Sequence, residues 1–208
     1  EQMNLFEDKL LDVNHKQDYR IIGQLFDTYW LIEFEDSFYM MDQHAAHEKI
    51  LYERLMKQFH EKTYHSQMIM PPVILTLSLR EEQILKENWK TFTALGYEIE
   101  EFGGKEYKVT GLPAELPTVI DCKQLLIELI DTIADDSATH DPERITEKVA
   151  SMSCKAAVKG NNRLSFKEAE ELMRELMEAE NPYNCPHGRP TLIKMTKYEI
   201  ERKFKRIL

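Results

Sequence analysis

From Tyr19 onward, short apolar and aromatic runs alternate with turn-forming clusters. Runs at 19–26, 29–34 and 38–41 are separated by Asp27-Thr28 and by Glu35-Asp36-Ser37, a pattern that predicts a meander of three strands. The period then changes. Ile50, Leu51, Leu55 and Phe59 recur at helical spacing and predict a helix over about 43–59. An extended run at 67–77 follows, interrupted by Pro71-Pro72, which exclude a central strand or a helix there. Ser78 and Glu81 fit a capping box, so one helix is expected to run to about Leu95 and stop at Gly96. Segments 97–102 and 105–112 around Gly103-Gly104 read as a β-hairpin.

The C-terminal half is more helical. A strongly apolar helix is expected over 122–134, then a polar break over 135–141, then a helix opened by Pro142 and ended by Gly160-Asn161-Asn162. Ser165 and Glu168 form a second capping box, with a helix to about Glu180. A loop over 181–190, a strand over 191–196 and a basic helix over 197–207 complete the chain. Residues 1–16 are polar with scattered Leu and read as the remnant of a linker, as if the chain began inside a longer one. The order of elements predicts an α/β fold of the mixed α+β kind with two lobes.

Composition narrows the class. The chain has 208 residues, 42% hydrophobic and 31% charged, an ordinary globular balance that argues against disorder. No apolar run reaches the length of a membrane span, and Glu7, Asp8, Lys9 and Asp12 leave no apolar signal-peptide core. The three cysteines cannot all pair with one another, which points to a reducing compartment and makes thiolate ligands available. The net charge of −10 is wrong for a protein whose whole grip comes from neutralising phosphates.

Three segments carry candidate chemistry. Asp42-Gln43-His44-Ala45-Ala46-His47-Glu48, followed by Glu53, falls where an apolar strand ends and a helix begins. His44 and Glu48 share a helix face, and Asp42 can point to the same spot. An imidazole and two carboxylates suit Zn²⁺ or Mn²⁺. The competing reading makes Asp42 a helix N-cap, His44 and Glu48 an exposed i,i+4 pair, and His47 a solvent-facing residue. In Cys185-Pro186-His187-Gly188-Arg189-Pro190, two metal donors stand two residues apart on a stiffened loop. Arg189 suits a phosphate contact there, or a brace for a carboxylate. Ser153-Cys154-Lys155 taken alone reads as a core cysteine on an amphipathic helix. The His-x-x-His-Glu order at 44–48 matches neither metalloprotease helix, and there is no glycine-rich phosphate loop, so nothing supports nucleotide binding.

Taken together, these segments resemble the C-terminal endonuclease domain of the MutL family of DNA mismatch-repair proteins. The family's Asp-Gln-His-Ala-x2-Glu-x4-Glu motif stands complete as Asp42, Gln43, His44, Ala45, Glu48 and Glu53, and its Cys-Pro-His-Gly-Arg-Pro motif is intact at 185–190. Of its Ala-Cys-Arg motif only Cys154 is kept. Lys155 replaces the arginine and lacks the planar fork needed for two parallel hydrogen bonds.

The resemblance implies that Asp42, His44, Glu48, Cys154, Cys185 and His187 line one metal site for one or two ions. Asp42, His44 and Glu48 would be catalytic, with Glu53 and Arg189 in support. It implies metal-dependent nicking of one strand of duplex DNA, with Mn²⁺ for turnover, Zn²⁺ in a structural or regulatory place, and no nucleotide in this domain. It implies a homodimerising, catalytic lobe at 17–65 and 150–208, and an inserted regulatory lobe at 66–149.

A clamp-binding motif is expected at the junction, where Gln67, Met68, Ile69, Met70 and Pro71 stand, with the Gln one position nearer the Pro than the family pattern. The other reading of that segment is an apolar run entering a strand. The implied partners are double-stranded DNA, bound weakly by so acidic a domain, the replication sliding clamp, and MutS through the full-length protein. The implied setting is the bacterial cytoplasm at the nucleoid. Lys194, Lys197, Arg202, Lys203, Lys205 and Arg206 could hold DNA or form a solvated helix face. The rival reading is a catalytically silent dimerisation and clamp-docking platform with a structural zinc.

Overall fold

The computed structural model describes residues 19–116, 121–135, 142–158 and 163–207. Fourteen elements are present among them: β1 (Arg20–Leu25), β2 (Tyr29–Phe34), β3 (Ser37–Asp42), α1 (Gln43–Glu61), β4 (Ser66–Thr76), α2 (Leu79–Glu87), α3 (Trp89–Ala94), β5 (Glu98–Gly103), β6 (Glu106–Pro113), α4 (Cys122–Asp135), α5 (Pro142–Val158), α6 (Phe166–Glu178), β7 (Leu192–Thr196) and α7 (Lys197–Lys203). The fold is mixed α/β, as the order of elements predicts. The expected linker at 1–16, residues 136–141 of the expected polar break over 135–141, and the Gly160-Asn161-Asn162 stop lie outside the described residues.

The chain divides into two compact units, Glu1–Ile50 with Gly160–Leu208, and Leu51–Lys159. The division falls inside α1 and after α5; the lobes that the resemblance implies are bounded at 65/66 and 149/150. A helix has no composition break at its middle to mark such a point.

The first unit is built on an antiparallel sheet ordered β1-β2-β3-β7. Alternation along β2 and β3 sends Trp30, Ile32, Phe34, Tyr39 and Met41 to one face, and all five are buried. They pack on Ala46 and Ile50 of α1 and on Ala169, Leu172, Met173, Leu176 and Met177 of α6. α6 starts at a complete capping box, in which the Ser165 hydroxyl accepts from Glu168 N–H and Glu168 accepts from Ser165 N–H. The opposite face of the sheet carries the row Leu31, Met40 and Ile193, aligned by the registers Leu31↔Met40 and Met40↔Ile193.

The second unit holds a sheet ordered β4-β6-β5 with α2, α3, α4 and α5. Its core gathers Leu75, Leu77, Leu85, Phe92, Tyr97, Tyr107, Val109, Leu126, Leu129 and Val149. β4 is an edge strand, and its register with β6 is interrupted between Met68 and Val73, which brackets the proline pair. Prolines cannot donate to a ladder, so the edge is where such a strand belongs.

The expected helix over 78–95 is in fact two, α2 and α3, divided at Asn88. The Asn88 side chain donates to Ile84 O at 2.9 Å, competing with the backbone ladder, a local effect invisible to hydrophobic periodicity. Gly96, at φ +93°, ends α3, and a Cβ there would lie 2.7 Å from His65 O. The last helix is shorter than expected and ends at Lys203, with Lys205 in the left-handed region.

Candidate metal centre

The site begins where β3 becomes α1. Asp42 Oδ1 accepts from the N–H groups of His44 and Ala45, at 2.9 and 3.1 Å, so its carboxylate caps the helix. Gln43 is 2% exposed, and its side-chain oxygen accepts from the Trp30 indole at 3.3 Å and from Gln24 at 3.1 Å. Ala45 and Ala46 are fully buried, which lets the helix approach the sheet closely. The first motif therefore serves partly as the joint between strand and helix. One turn further on, Glu48 is buried at 4% exposure.

The second motif is a tight turn. Gly188 N–H donates to Cys185 O and Cys185 N–H donates to Arg189 O, both at 2.9 Å, with Pro186 at the second position and Gly188 at φ +76°. That combination is a type I turn closed by a glycine bulge. It explains Pro and Gly at these places without reference to chemistry. Thr191, fully buried, ties the loop down. Its hydroxyl donates to Pro182 O, its N–H donates to Tyr183 O, and its carbonyl accepts from Asp42 N–H.

The two motifs meet at Glu48. His187 Nδ1 stands 3.2 Å from Glu48 Oε2, and Arg189 Nη2 donates to the same oxygen at 2.5 Å. Ligand atoms of Glu48, Cys185 and His187 all lie within 4.8 Å of one another. Arg189 has its pKa raised, first by the bond to Glu48 and further by Cys185, against a partial loss of solvation. A pocket of about 200 Å³ adjoins the cluster, lined by Asp42, Arg189, Thr191, Tyr29, Met40 and Ile193 among others.

The donors can be tested against an ion. A carboxylate, a thiol and an imidazole are a zinc-type set, and ligands about 2.0–2.3 Å from a tetrahedral ion stand roughly 3.5 Å apart. Glu48 Oε2 and His187 Nδ1 stand 3.2 Å apart and the three ligand atoms lie within 4.8 Å of one another, which brackets that spacing. Asp42 ends β3, with its Oδ1 3.9 Å from His44 Nδ1, and His44 sits one turn before Glu48; among the described residues neither joins the Glu48–Cys185–His187 cluster.

The remaining expected site residues fall elsewhere. Cys154 lies on α5 in the second unit, fully buried with Leu55, Met56 and Ala150. Glu53 falls in that unit too, half-buried, and with Glu147 and Cys154 adds to the effect of burial in raising the Tyr52 pKa. In the expected clamp segment, Met68 and Met70 are exposed, while the Gln67 amide donates to the carbonyls of Pro113 and Leu116. Burial pushes the Cys122 thiol up to about 12, as for an inert core cysteine.

Two residues that shape the site escaped sequence reasoning, Gln43 as the clasp on Trp30 and Thr191 as the anchor of the loop. Gln43 was visible as part of a motif, but nothing local marked its burial. No signal in the sequence singled out Thr191.

Fold and site together define a mixed α/β chain that gathers a carboxylate, a thiol and an imidazole at a strand–helix junction. The chain belongs to the MutL C-terminal dimerisation domain family, whose model matches residues 22–164. It is 52% identical over 203 residues to the DNA mismatch repair protein MutL of Agathobacter rectalis, an alignment covering 98% of this chain and 31% of that protein. It is 39% identical over 196 residues to MutL of Caldanaerobacter subterraneus, covering 94% of this chain and 33% of the relative. MutL of Clostridium perfringens is 39% identical over 188 residues, covering 90% and 28% respectively. The chain thus spans about a third of the length of the relatives it matches. Among the described residues no helix is long and apolar enough to cross a membrane.

Proposed function

We propose that this domain is a metal-dependent endonuclease that nicks one strand of duplex DNA during mismatch repair and acts as a homodimer. The observation that carries the reading is the convergence of Glu48, Cys185 and His187, donated by motifs far apart in sequence, beside a pocket lined by Asp42 and Arg189. Relatives named as DNA mismatch repair proteins support the pathway.

Glu48, Cys185 and His187 would hold the ion, and Asp42 and His44, at the same strand–helix junction, would complete its surroundings. A divalent ion bound there supplies a Lewis acid that polarises a phosphodiester. Zn²⁺ suits the thiol and imidazole, and Mn²⁺ suits the carboxylates in turnover. Glu48 would also help position His187, whose Nδ1 stands 3.2 Å from its Oε2. Arg189 supplies the positive charge nearest a bound phosphate.

The row Leu31, Met40 and Ile193, with Ile22 49% exposed and Ile193 53% exposed, supports the outward face of the first sheet as the surface where a second copy binds. A net charge of −10 predicts weak binding to free DNA, so delivery would fall to the sliding clamp and to MutS through the rest of the longer protein, in the cytoplasm at the nucleoid. Met68 and Met70 on the edge strand β4 offer an apolar contact for the clamp, with the Gln67 amide already committed to its own unit.

The second reading, a silent docking platform with a structural zinc, draws on the thiol and imidazole donors. Incubation with cognate clamp, supercoiled plasmid and Mn²⁺, beside Glu48→Ala, separates the two. Nicks made by the wild type and lost in the variant support the endonuclease. Absence of nicks from folded, dimeric wild type supports the platform.

A further inference from the structure

Glu48 is the one carboxylate buried among the described residues, and it does not stand bare. Two neighbours converge on one of its oxygens: Arg189 Nη2 at 2.5 Å and His187 Nδ1 at 3.2 Å from Oε2. A carboxylate oxygen offers about two acceptor directions in its plane. Those of Oε2 are taken. Arg189 also interacts electrostatically with Cys185, so its charge acts on two of the three groups in the cluster.

An ion entering the cluster needs the negative charge that Arg189 now neutralises. His187 can change from neighbour to ligand, because an imidazole has a lone pair to give. A guanidinium has none, so it can only leave. The route out is open. The Arg189 side chain is half-exposed at 50%, whereas that of Glu48 is 5% exposed, and Arg189 already lines the pocket beside Asp42 and Tyr29.

We propose that Arg189 is an internal competitor of the metal: guanidinium and ion contend for the Glu48–Cys185 pair, so occupancy by the ion turns Arg189 out toward the pocket. The inference rests on the metal-site reading above and adds a regulation to it. With no ion, the arginine keeps a buried carboxylate from standing unpaired. With the ion in place, the same side chain is released on the side where a phosphate would lie. The pair sets a threshold of metal concentration below which the centre stays closed.

The test reads metal affinity without DNA and without turnover. Zn²⁺ affinity is measured by competition with a chromophoric chelator, and Mn²⁺ affinity by calorimetry, for wild type, Arg189→Gln and Arg189→Lys. Cys185→Ser marks binding at this site. Arg189→Gln is expected to bind Zn²⁺ about tenfold more tightly or better, the order expected when one charge-assisted hydrogen bond is removed from a competitor. Arg189→Lys, which keeps charge without the fork, should fall between the two and decides the matter if the Gln variant fails to fold by circular dichroism. Equal or weaker affinity in the folded variants overturns the inference and makes Arg189 a brace for the ligands. Absence of Cys185-dependent binding in the wild type overturns the metal site itself, and the inference with it.

Discussion

The backbone N–H of Asp42 donates to the carbonyl of Thr191 at 2.9 Å, and this bond joins the end of β3 to the end of the Cys185–Pro190 loop. It anchors the loop whose His187 and Arg189 side chains meet Glu48. Thr191 is fully buried, and its hydroxyl donates to Pro182 O. Thr191→Val keeps the shape and removes the hydroxyl. Unfolding in urea should show a loss of about 1–2 kcal/mol, the cost of leaving a buried carbonyl with one partner fewer. Chelator competition should show weaker Zn²⁺ binding in the same variant.

Gly188 has open space around its Cα, so a methyl group there meets no neighbour. Its φ of +76° is the obstacle. Gly188→Ala should cost about 1–2 kcal/mol in backbone strain alone. The strain is relieved if the turn opens and carries His187 away from Glu48. Zn²⁺ affinity should therefore fall while the global melting temperature changes by only a few degrees, a difference that calorimetry beside chelator competition resolves.

Met40 stands between Leu31 and Ile193 in the outward row of the first sheet. A lysine in its place would put a charge at the centre of that apolar face without touching the buried row of Trp30 and Met41. Met40→Lys should sediment as a monomer with an unchanged circular dichroism spectrum, where the wild type should sediment as a dimer. A dimer that survives the substitution places the contact elsewhere.

Glu81 closes the capping box of α2. The Ser78 hydroxyl, and after it the Ser78 backbone N–H, hold its carboxylate below the ordinary 4.5. A depressed folded pKa means stability present above the unfolded value and lost as pH falls through the folded one. Ser78→Ala should return the Glu81 titration toward 4.5, readable by NMR of the side-chain carboxyl, and should cost about 1 kcal/mol at neutral pH. The gap between wild type and variant should narrow as pH falls below 4.5.

Much of the architecture was legible from local pattern. The strand meander, the hairpin around Gly103-Gly104, the apolar helix α4 and the capping boxes at Ser78 and Ser165 are decided by neighbours within a few residues. The break at Asn88 was not legible, because it depends on a side chain bonding back to its own helix rather than on hydrophobic period. Both readings of Asp42 were open, and the cap is the one its hydrogen bonds display.

Local sequence sets the parts: two motifs with candidate metal donors, a turn whose Pro186 and Gly188 dictate its own backbone, and helices whose starts are written in their first four residues. Which donors meet is settled by long-range packing. Glu48, Cys185 and His187 converge because α1 and the loop are each packed against the same sheet and pinned through Thr191, contacts made between residues far apart along the chain. Only there does Arg189 emerge as the partner of Glu48. Local pattern fixes what a segment is. Pairing across the chain depends on burial and on the satisfaction of polar groups, which exist only once the core has closed.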